Sequence, residues 1–387
     1  MIQFQTEVSN QLLINPRLTE EEKKILLQLQ NEFEQQYGSK GFFLVPSSGS
    51  SQKKNESVKL IALSRQSIVN SAMRFNQYFQ TKSDESWGLV LPEFHVAGLG
   101  VYARASLVGA SVFVSEWNVQ TLKTWVNEKK ISYMSMVPTQ VYDIVKLNLQ
   151  CMASIKKVFV GAGALSKELK QQARALEWPI VETYGMTETS SMIAVREQTE
   201  SFAVLPQVEV RVEETLQIRC NSLLTASIQK IDQEIVVRSY KADDWLVTED
   251  LVTLTVDASS GPMHLNLLGR RGDYVKILGE GVSLPELRER LEHLTQQLGY
   301  AVSSAALLAV EDKRRGHELV LVVDKSLQTQ MGQLKALYND SGRPYEKIER
   351  VYCLDQLPRT DLGKLKVEEV KSIIISKANE GDYGKHQ

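Results

Sequence analysis

The spacing of polar and apolar residues changes along the chain, and each spacing predicts a kind of element. In "LTEEEKKILLQLQNEFEQQYG" Ile25, Leu29, Phe33 and Tyr37 recur every four residues, one apolar stripe of an amphipathic helix. Thr19 and Glu22 have capping-box spacing at its start, and Gly38 stands at its stop. Short apolar runs follow: "GFFLV" (41–45), "VKLIAL" (58–63), "WGLVL" (87–91), "ASVFV" (110–114), "ISYMSMV" (131–137), "IKKVFV" (155–160) and "PIVET" (179–183). Helical stretches such as "RQSIVNSAMRFNQYF" and "VQTLKTWVNEKK" lie between several of them. Buried strands separated by crossover helices predict a mostly parallel α/β layer.

From about 204 to 268 short alternating strands joined by turns predict a small antiparallel subdomain. Beyond "GRRGDYVK" (269–276) the chain restarts with "LPELRERLEHLTQQLG", the strands "AALLAV" and "HELVLVVD", another helix, and "IERVYCL". This is a compact α+β unit. The expected fold is therefore α/β, with a large N-terminal domain over 1–270 and a small C-terminal α+β domain over 271–387. The boundary is placed at Arg270–Asp273, where Gly272 gives freedom of φ. The polar tail "NEGDYGKHQ" reads as frayed.

Composition narrows the function classes. With 387 residues, 43% hydrophobic and 24% charged, the chain has ordinary globular usage and enough length for a large core. Lys+Arg at 45 against Asp+Glu at 47 gives a formal net charge of -2, so no global field draws nucleic acid or acidic membrane. There is no stretch of 18 apolar residues and no basic leader followed by an apolar core, which points to a cytoplasmic protein. Cys151, Cys220 and Cys353 are far apart and form no CxxC, so neither a zinc site nor a disulfide framework is indicated. A homo-oligomer stays open.

Four stretches can carry chemistry. "VPSSGSSQKK" (45–54) is either a solvated Ser-rich turn or a loop that wraps a polyphosphate. In "VETYGMTETSSM" (181–192) Tyr184 offers a flat face, Thr187 a donor for phosphate, and Glu188 a carboxylate for Mg²⁺. The same residues also suit a plain strand-to-helix turn with Thr as N-cap. In "LPRTDLGKLK" (357–366) Pro358 and Gly363 bracket a loop presenting Lys364, which read alone is a solubility lysine. "VTEDLV" (247–252) places Asp250 at an apolar run, and Arg270 follows about twenty residues later, a pair suited to ribose hydroxyls. GxxxxGK[ST], a GxGxxG before a helix, and GxSxG are all absent, which excludes Walker, Rossmann and α/β-hydrolase chemistry. Five scattered histidines suggest no metal cluster.

In this order the pieces resemble the adenylate-forming superfamily of acyl- and aryl-CoA ligases, luciferases and peptide-synthetase adenylation domains. Its phosphate loop, TSGTTGxPK, matches Ser47, Ser48, Gly49, Ser50, Ser51, Gln52 and the lysines after them. YGxTE is Tyr184-Gly185-Met186-Thr187-Glu188, and TGD appears as Thr248-Glu249-Asp250. The interdomain stretch GRxxDxIKxxGxxIxPxEIE is similar to "GRRGDYVKILGEGVSLPELRE", and PRTxxGK is Pro358 to Lys364. The resemblance runs from about Phe42 to the C-terminus. Within the superfamily, "LPEFHVAGLGVYARASLVGA" and "YGMTETSSM" look most like the o-succinylbenzoate–CoA ligases of menaquinone biosynthesis.

The resemblance implies an enzyme that uses ATP, Mg²⁺ and CoA to activate an aryl or acyl carboxylic acid through an acyl-adenylate. It implies that the serines and Gly49 hold the β- and γ-phosphates, that Thr187 contacts the α-phosphate, and that Glu188 holds Mg²⁺. Tyr184, Gly185 and the turn Gly161-Ala162-Gly163 would enclose adenine, and Asp250 and Arg270 would take the ribose. His95 would line the acyl or thiol channel. Lys364 would serve adenylation, and a mobile C-terminal lid turning about Gly272 would then bring Gly279 to the thiol channel. Three residues depart from the pattern: Gln52 replaces a loop glycine, Glu249 the glycine before the ribose aspartate, and Met192 a frequent glutamine. About 40 residues precede the phosphate loop, fewer than in most relatives, so part of the usual N-terminal lobe is expected to be missing or rebuilt. A ligase for another acid, or a nucleotide-binding protein without turnover, are the alternatives.

Overall fold

A computed structural model describes residues 3–47, 56–231, 234–241, 243–256, 263–312 and 314–379. Four residues of the expected phosphate loop, Ser48, Gly49, Ser50 and Ser51, lie outside the described residues, as do Gln52 and the polar tail. By its internal contacts the chain divides into two compact units. One comprises Met1–Thr248 with Thr253–Asn266, the other Glu249–Val252 with Leu267–Gln387.

The first unit is built on a parallel sheet that five of the seven apolar runs enter. The first two runs, in strands Phe42–Ser47 and Glu56–Ser64, instead pair antiparallel in a separate sheet, because residues 48–55, which join them, are too few for the crossover that parallel pairing needs. Strands Ser111–Val114, Ser86–Leu89, Tyr133–Met136, Lys157–Val160 and Ile180–Met186 lie side by side in that order, all parallel. Parallel neighbours need crossovers, and Val96–Val108, Val119–Lys129, Pro138–Lys146 and Lys167–Ala175 supply them as helices. The sheet continues antiparallel through Ser191–Arg196 and Phe202–Val204. Val126, Ile131, Met134, Val141, Val158 and Trp178 are among the side chains that fill the space between strands and helices. Burying each such aliphatic side chain contributes roughly 1.5–3 kcal/mol, so this cluster anchors the loops at the strand ends.

The amphipathic helix forms as the sequence predicts, at Glu20–Tyr37. Thr19 accepts from the Glu22 amide while Glu22 accepts from the Thr19 amide, and Gly38 ends it at φ +82°. Leu26, Leu29 and Phe33 pack on Leu44, Leu60, Ala62, Ala226 and Ile228 of a second sheet. That sheet orders Gln11–Leu12, Phe42–Ser47, Glu56–Ser64, Ala226–Ile231 and Glu234–Ser239. Successive side chains of a strand point to opposite faces. With Leu60 and Ile228 under the helix, Lys59, Ser227 and Gln229 stand on the face away from it.

The alternating segment 204–268 goes to three destinations. Val208–Val212, Leu216–Cys220 and Leu246–Val247 make a small three-stranded antiparallel sheet. Ala226–Ile231 and Glu234–Ser239 complete the helix-covered sheet, and Met263–Arg270 pairs with Phe202–Val204. Alternation sets which face each residue takes; it does not say which sheet a strand joins.

In the second unit Gly316–Asp324 is buried on both sides. Leu319, Leu321 and Val323 face helices Leu284–Gln297 and Met331–Asp340, while Val320 and Val322 face helix Val367–Asn379. It pairs with Ala305–Asp312, Ile348–Leu354 and Tyr274–Ile277, and Glu280–Ser283 extends the sheet. Among the described residues no helix is long and apolar enough to cross a membrane.

Candidate functional site

The parallel strands all point one way, so the loops leaving their C-terminal ends gather along one edge of the sheet. Ser86–Leu89 leads to His95, Lys157–Val160 to Gly161, Ala162 and Gly163, and Ile180–Met186 to Thr187 and Glu188. After Ser86–Leu89 the chain moves outward to Ser111–Val114 and returns to pair Tyr133–Met136 on the other side. Such a reversal opens a crevice at the strand ends, where open α/β sheets take ligands. His95 stands there half-buried at the start of helix Val96–Val108, its ring 4.7 Å from Phe94. The Gly161 turn presses on the next strand: a Cβ at Gly161 would lie 2.4 Å from Thr183 Oγ1.

The segment 184–192 is tied by its own backbone. Tyr184 is half-buried, its ring centroid 6.3 Å from that of Phe202. A Cβ at Gly185 would come within 2.2 Å of Ser191 O and 2.5 Å of Met192 Cα, so only glycine fits. Thr187–Thr189 form a 3-10 turn, closed by the Ser190 amide donating to Thr187 O at 3.0 Å. Thr189, fully buried, accepts from the Met186 amide at 3.1 Å and donates to Ser191 O at 2.7 Å. Ser190 and Ser191 have φ of +58° and +128°, backbone that non-glycine residues adopt only when their surroundings enforce it.

This turn aims Glu188 at Lys59, Oε1 to Nζ 3.0 Å. Lys59 in turn sits directly opposite Ser47 in the pairing of Phe42–Ser47 with Glu56–Ser64. Ser47, Lys59, Thr187 and Glu188 are thus brought to one place, where a lone carboxylate is backed by an ammonium. Among the described residues no group of three or more His, Cys, Asp or Glu could hold a metal ion. A single carboxylate fits a cation that arrives with most of its oxygen ligands already attached, as Mg²⁺ does on a polyphosphate.

Arg104, on helix Val96–Val108, is the least expected feature. It is buried, its guanidinium lies 4.2 Å from the Phe75 ring centroid, and Nη2 donates to Ser191 Oγ at 2.8 Å. Nε is buried and has no hydrogen-bond partner among the described residues. Burial pushes its pKa down to about 9, which still leaves it charged at neutral pH. Two other buried arginines are spent on structure: Arg65 donates to Gln3 O and Ser9 O, Arg74 to Ser222 and Asn221. Arg104 has one hydroxyl.

The second unit holds the remaining candidates. Arg270 Nε donates to Asp250 Oδ1 at 2.9 Å, so the two residues read as a ribose pair do meet. Gly279 follows Leu278 in a two-residue hairpin turn between Tyr274–Ile277 and Glu280–Ser283, at φ +87° and +53° respectively. Gly272 is not at positive φ, and a Cβ there would meet nothing within 4 Å. Lys364 is exposed on a turn in which the Thr360 amide donates to Lys364 O at 2.8 Å and the Lys364 amide to Thr360 Oγ1 at 3.1 Å. Arg359 braces the turn, Nη1 donating to Gly363 O and Nη2 to Ser303 O, both at 2.9 Å.

Comparison with known proteins bears directly on the first group. Residues 57–218 match the family model described as AMP-binding enzyme. The match holds Lys59, His95, Arg104, Gly161, Tyr184, Thr187 and Glu188, and ends before Asp250 and Lys364. The chain is 25% identical over 325 residues to 2-succinylbenzoate–CoA ligase of Bacillus subtilis strain 168, covering 79% of this chain and 63% of that one. It thus spans less than two-thirds of that relative's length. A solved Bacillus subtilis o-succinylbenzoate CoA synthetase, in complex with the acyl-adenylate OSB-AMP, superposes with a TM-score of 0.75 at 19% identity, covering 94% of this chain and 83% of that one. The same enzyme with ATP and magnesium ion gives 0.70 at 19%, covering 93% and 83%. These likenesses carry the two-domain α/β fold across nearly the whole chain.

Sequence reasoning missed Lys59, Arg104 and Arg359. The first two carried a visible signal: each is a single charge within an otherwise apolar run, "VKLIAL" and "VAGLGVYARASLV".

Proposed function

We propose that the chain is an AMP-forming acid–CoA ligase whose acid carries a second carboxylate, as o-succinylbenzoate does. The observation that carries this reading is Arg104: a buried guanidinium with donors left over and, among the described residues, no ion pair, one hydrogen bond from the Ser191 that follows Thr187 and Glu188. A buried cation is costly without a counter-ion, and an acid with a remote carboxylate supplies one. The names of the curated relatives agree with such an acid.

In the first half-reaction the substrate carboxylate oxygen attacks the α-phosphorus of ATP and the bond to pyrophosphate breaks. Thr187 donates to an α-phosphate oxygen, and Tyr184 with Gly161, Ala162, Gly163 and Gly185 encloses the adenine. Glu188 would hold Mg²⁺, which when bound neutralises phosphate charge. Asp250 and Arg270 hold the ribose hydroxyls, and Lys364 supplies a cation as negative charge builds on the α-phosphate. In the second half-reaction the CoA sulfur attacks the acyl carbon, AMP leaves, and the thiol proton is lost. The strained turn at Leu278 and Gly279 then serves the thiol, and His95 lines its channel or that of the acid.

The test is pyrophosphate release with ATP, Mg²⁺ and a panel of acids. Release with o-succinylbenzoate is expected, and Arg104→Met should lower kcat/KM for dicarboxylic substrates by about 10²-fold, because truncating one side of a buried charge pair costs about 2–5 kcal/mol. Monocarboxylic aryl acids should be used equally by both proteins. No release with any acid defeats the ligase reading; equal loss for both acid classes defeats the role of Arg104.

A further inference from the structure

The turn that carries Thr187 and Glu188 has each of its backbone carbonyls taken. Thr187 O accepts the Ser190 amide at 3.0 Å, Glu188 O the Leu224 amide at 2.8 Å, and Thr189 O the Ser222 hydroxyl at 3.1 Å. Ser190 Oγ returns a bond to Ser222 O at 2.8 Å. The turn is thus held from behind by Ser222 and Leu224, in the link between strands Leu216–Cys220 and Ala226–Ile231. Helix Arg65–Phe79 holds that link in turn, through Ser67, Asn70 and Arg74, which share one face at helical spacing. Ser67 Oγ donates to Leu223 O at 3.1 Å and Asn70 Nδ2 to Asn221 O at 2.8 Å. Arg74 reaches further, Nη2 donating to Asn221 Oδ1 at 2.7 Å and Nη1 to Ser222 Oγ at 3.0 Å.

Ser222 is fully buried, and its hydroxyl has a single proton to give. A guanidinium donates and cannot accept, so the bond from Arg74 leaves that proton to Thr189 O. Without the guanidinium it could turn to Cys220 Sγ, 3.2 Å from Ser222 Oγ. We propose that Ser222, aimed by Arg74, is a positioning residue that fixes the direction in which the turn presents Thr187 and Glu188. Ser190 sits at φ +58°, a conformation that a non-glycine residue keeps only while its surroundings enforce it. Ser222 supplies that enforcement from both sides, gripping Thr189 O and accepting the Ser190 hydroxyl. What the direction serves, Mg²⁺ at Glu188 and phosphate at Thr187, rests on the ligase reading. The hold of Ser222 on the turn rests on the hydrogen bonds alone.

The test compares the whole chain with Ser222→Ala, Arg74→Met and Asn70→Ala. Two quantities are read: hydrogen exchange over residues 187–191, and calorimetric titration with ATP in the presence and absence of Mg²⁺. Ser222→Ala should speed the exchange and weaken ATP binding with Mg²⁺ by about tenfold each, the worth of one buried hydrogen bond. ATP without Mg²⁺, which does not call on Glu188, should lose less. Arg74→Met fills the buried site with an apolar chain, a replacement that proteins tolerate, and should give part of each change because Ser222 keeps its hydroxyl but loses its aim. Asn70→Ala frees only Asn221 O and should match the parent in both readouts. Exchange in Ser222→Ala equal to the parent's, or unchanged ATP binding with Mg²⁺, overturns the positioning role. So does Asn70→Ala if it shifts both readouts as far, since any loosening of the link would then suffice. Should Ser222→Ala fail to fold, Arg74→Met set against Asn70→Ala decides, and equal changes in the two overturn the role. A parent that binds no ATP defeats the ligase reading, while exchange that still depends on Ser222 upholds its grip on the turn.

Discussion

Two turns present the residues assigned to chemistry, and they are held by opposite means. Around Gly185 the backbone is its own fixture: the next strand lies so close that a methyl group would strike Ser191 O, and Thr189 stitches the bend from within. Around Lys364 the holding is done by side chains, with Arg359 gripping Gly363 O and Thr360 gripping the Lys364 amide at an exposed site. The first turn can move only if its sheet opens. The second can be re-aimed by giving up a few hydrogen bonds, each worth about 1 kcal/mol. A fixed turn and an adjustable cation would each suit one part of the proposed reaction.

The largest effect that tests this contrast is on rate. Lys364→Ala should slow adenylation by roughly two to four orders of magnitude, as when one preorganised electrostatic donor is lost, and leave stability unchanged. Thioester formation from a synthetic acyl-adenylate should persist. Following pyrophosphate release and thioester formation separately decides it, and parallel loss of both steps would break the assignment of Lys364 to adenylation.

A smaller effect belongs to the rigid turn. Gly185→Ala should destabilise the first unit by about 3 kcal/mol, at the upper end for overpacking, because the displaced atoms are backbone and cannot swing aside. Denaturant unfolding of the parent and the variant measures it. A loss under about 0.5 kcal/mol, the range of a neutral surface change, would show that this turn is as yielding as the other.

The smallest effect is a pH dependence confined to the second unit. Burial, and then the neighbouring Glu289, push Glu292 up to about 7, against the pull of Arg359 and Arg288. Its folded pKa lies above its ordinary value of 4.5, so its contribution to stability is complete below that value and is lost as pH rises through about 7. Stability should therefore fall by about 1–3 kcal/mol across this window in the parent, and Glu292→Gln should remove that part of the slope. Equal slopes in both proteins would detach the Arg359 brace from any titrating neighbour.

Much of this architecture was legible beforehand, for reasons that name its limits. The Thr19–Glu22 capping box marked a helix start because both bonds are local, and the apolar runs marked strands because parallel strands are buried on both faces. Helix Val96–Val108 was not foreseen, since it is buried nearly all round and shows no period. At the site, Tyr184, Thr187 and Glu188 could be read because they are contiguous. Lys59 and Arg104 could not be assigned partners, because those partners lie 129 and 87 residues away and only the sheet brings them near.

The pairing of strand Glu56–Ser64 has a consequence for the insertions and deletions that the chain can absorb. Lys59 faces Glu188 while Leu60 lies under the helix, and the pairing with Ala226–Ile231 shifts once, between Gln229 and Ile231. Side chains on a strand follow a reading frame of two. One residue gained or lost between Lys59 and the helix-packed core would turn the ammonium into the apolar layer and bring a leucine to the carboxylate, undoing core and site together. Two residues would keep the faces but carry Lys59 about 7 Å along the strand, out of reach of Glu188. Within this strand, length is fixed by the two faces it serves.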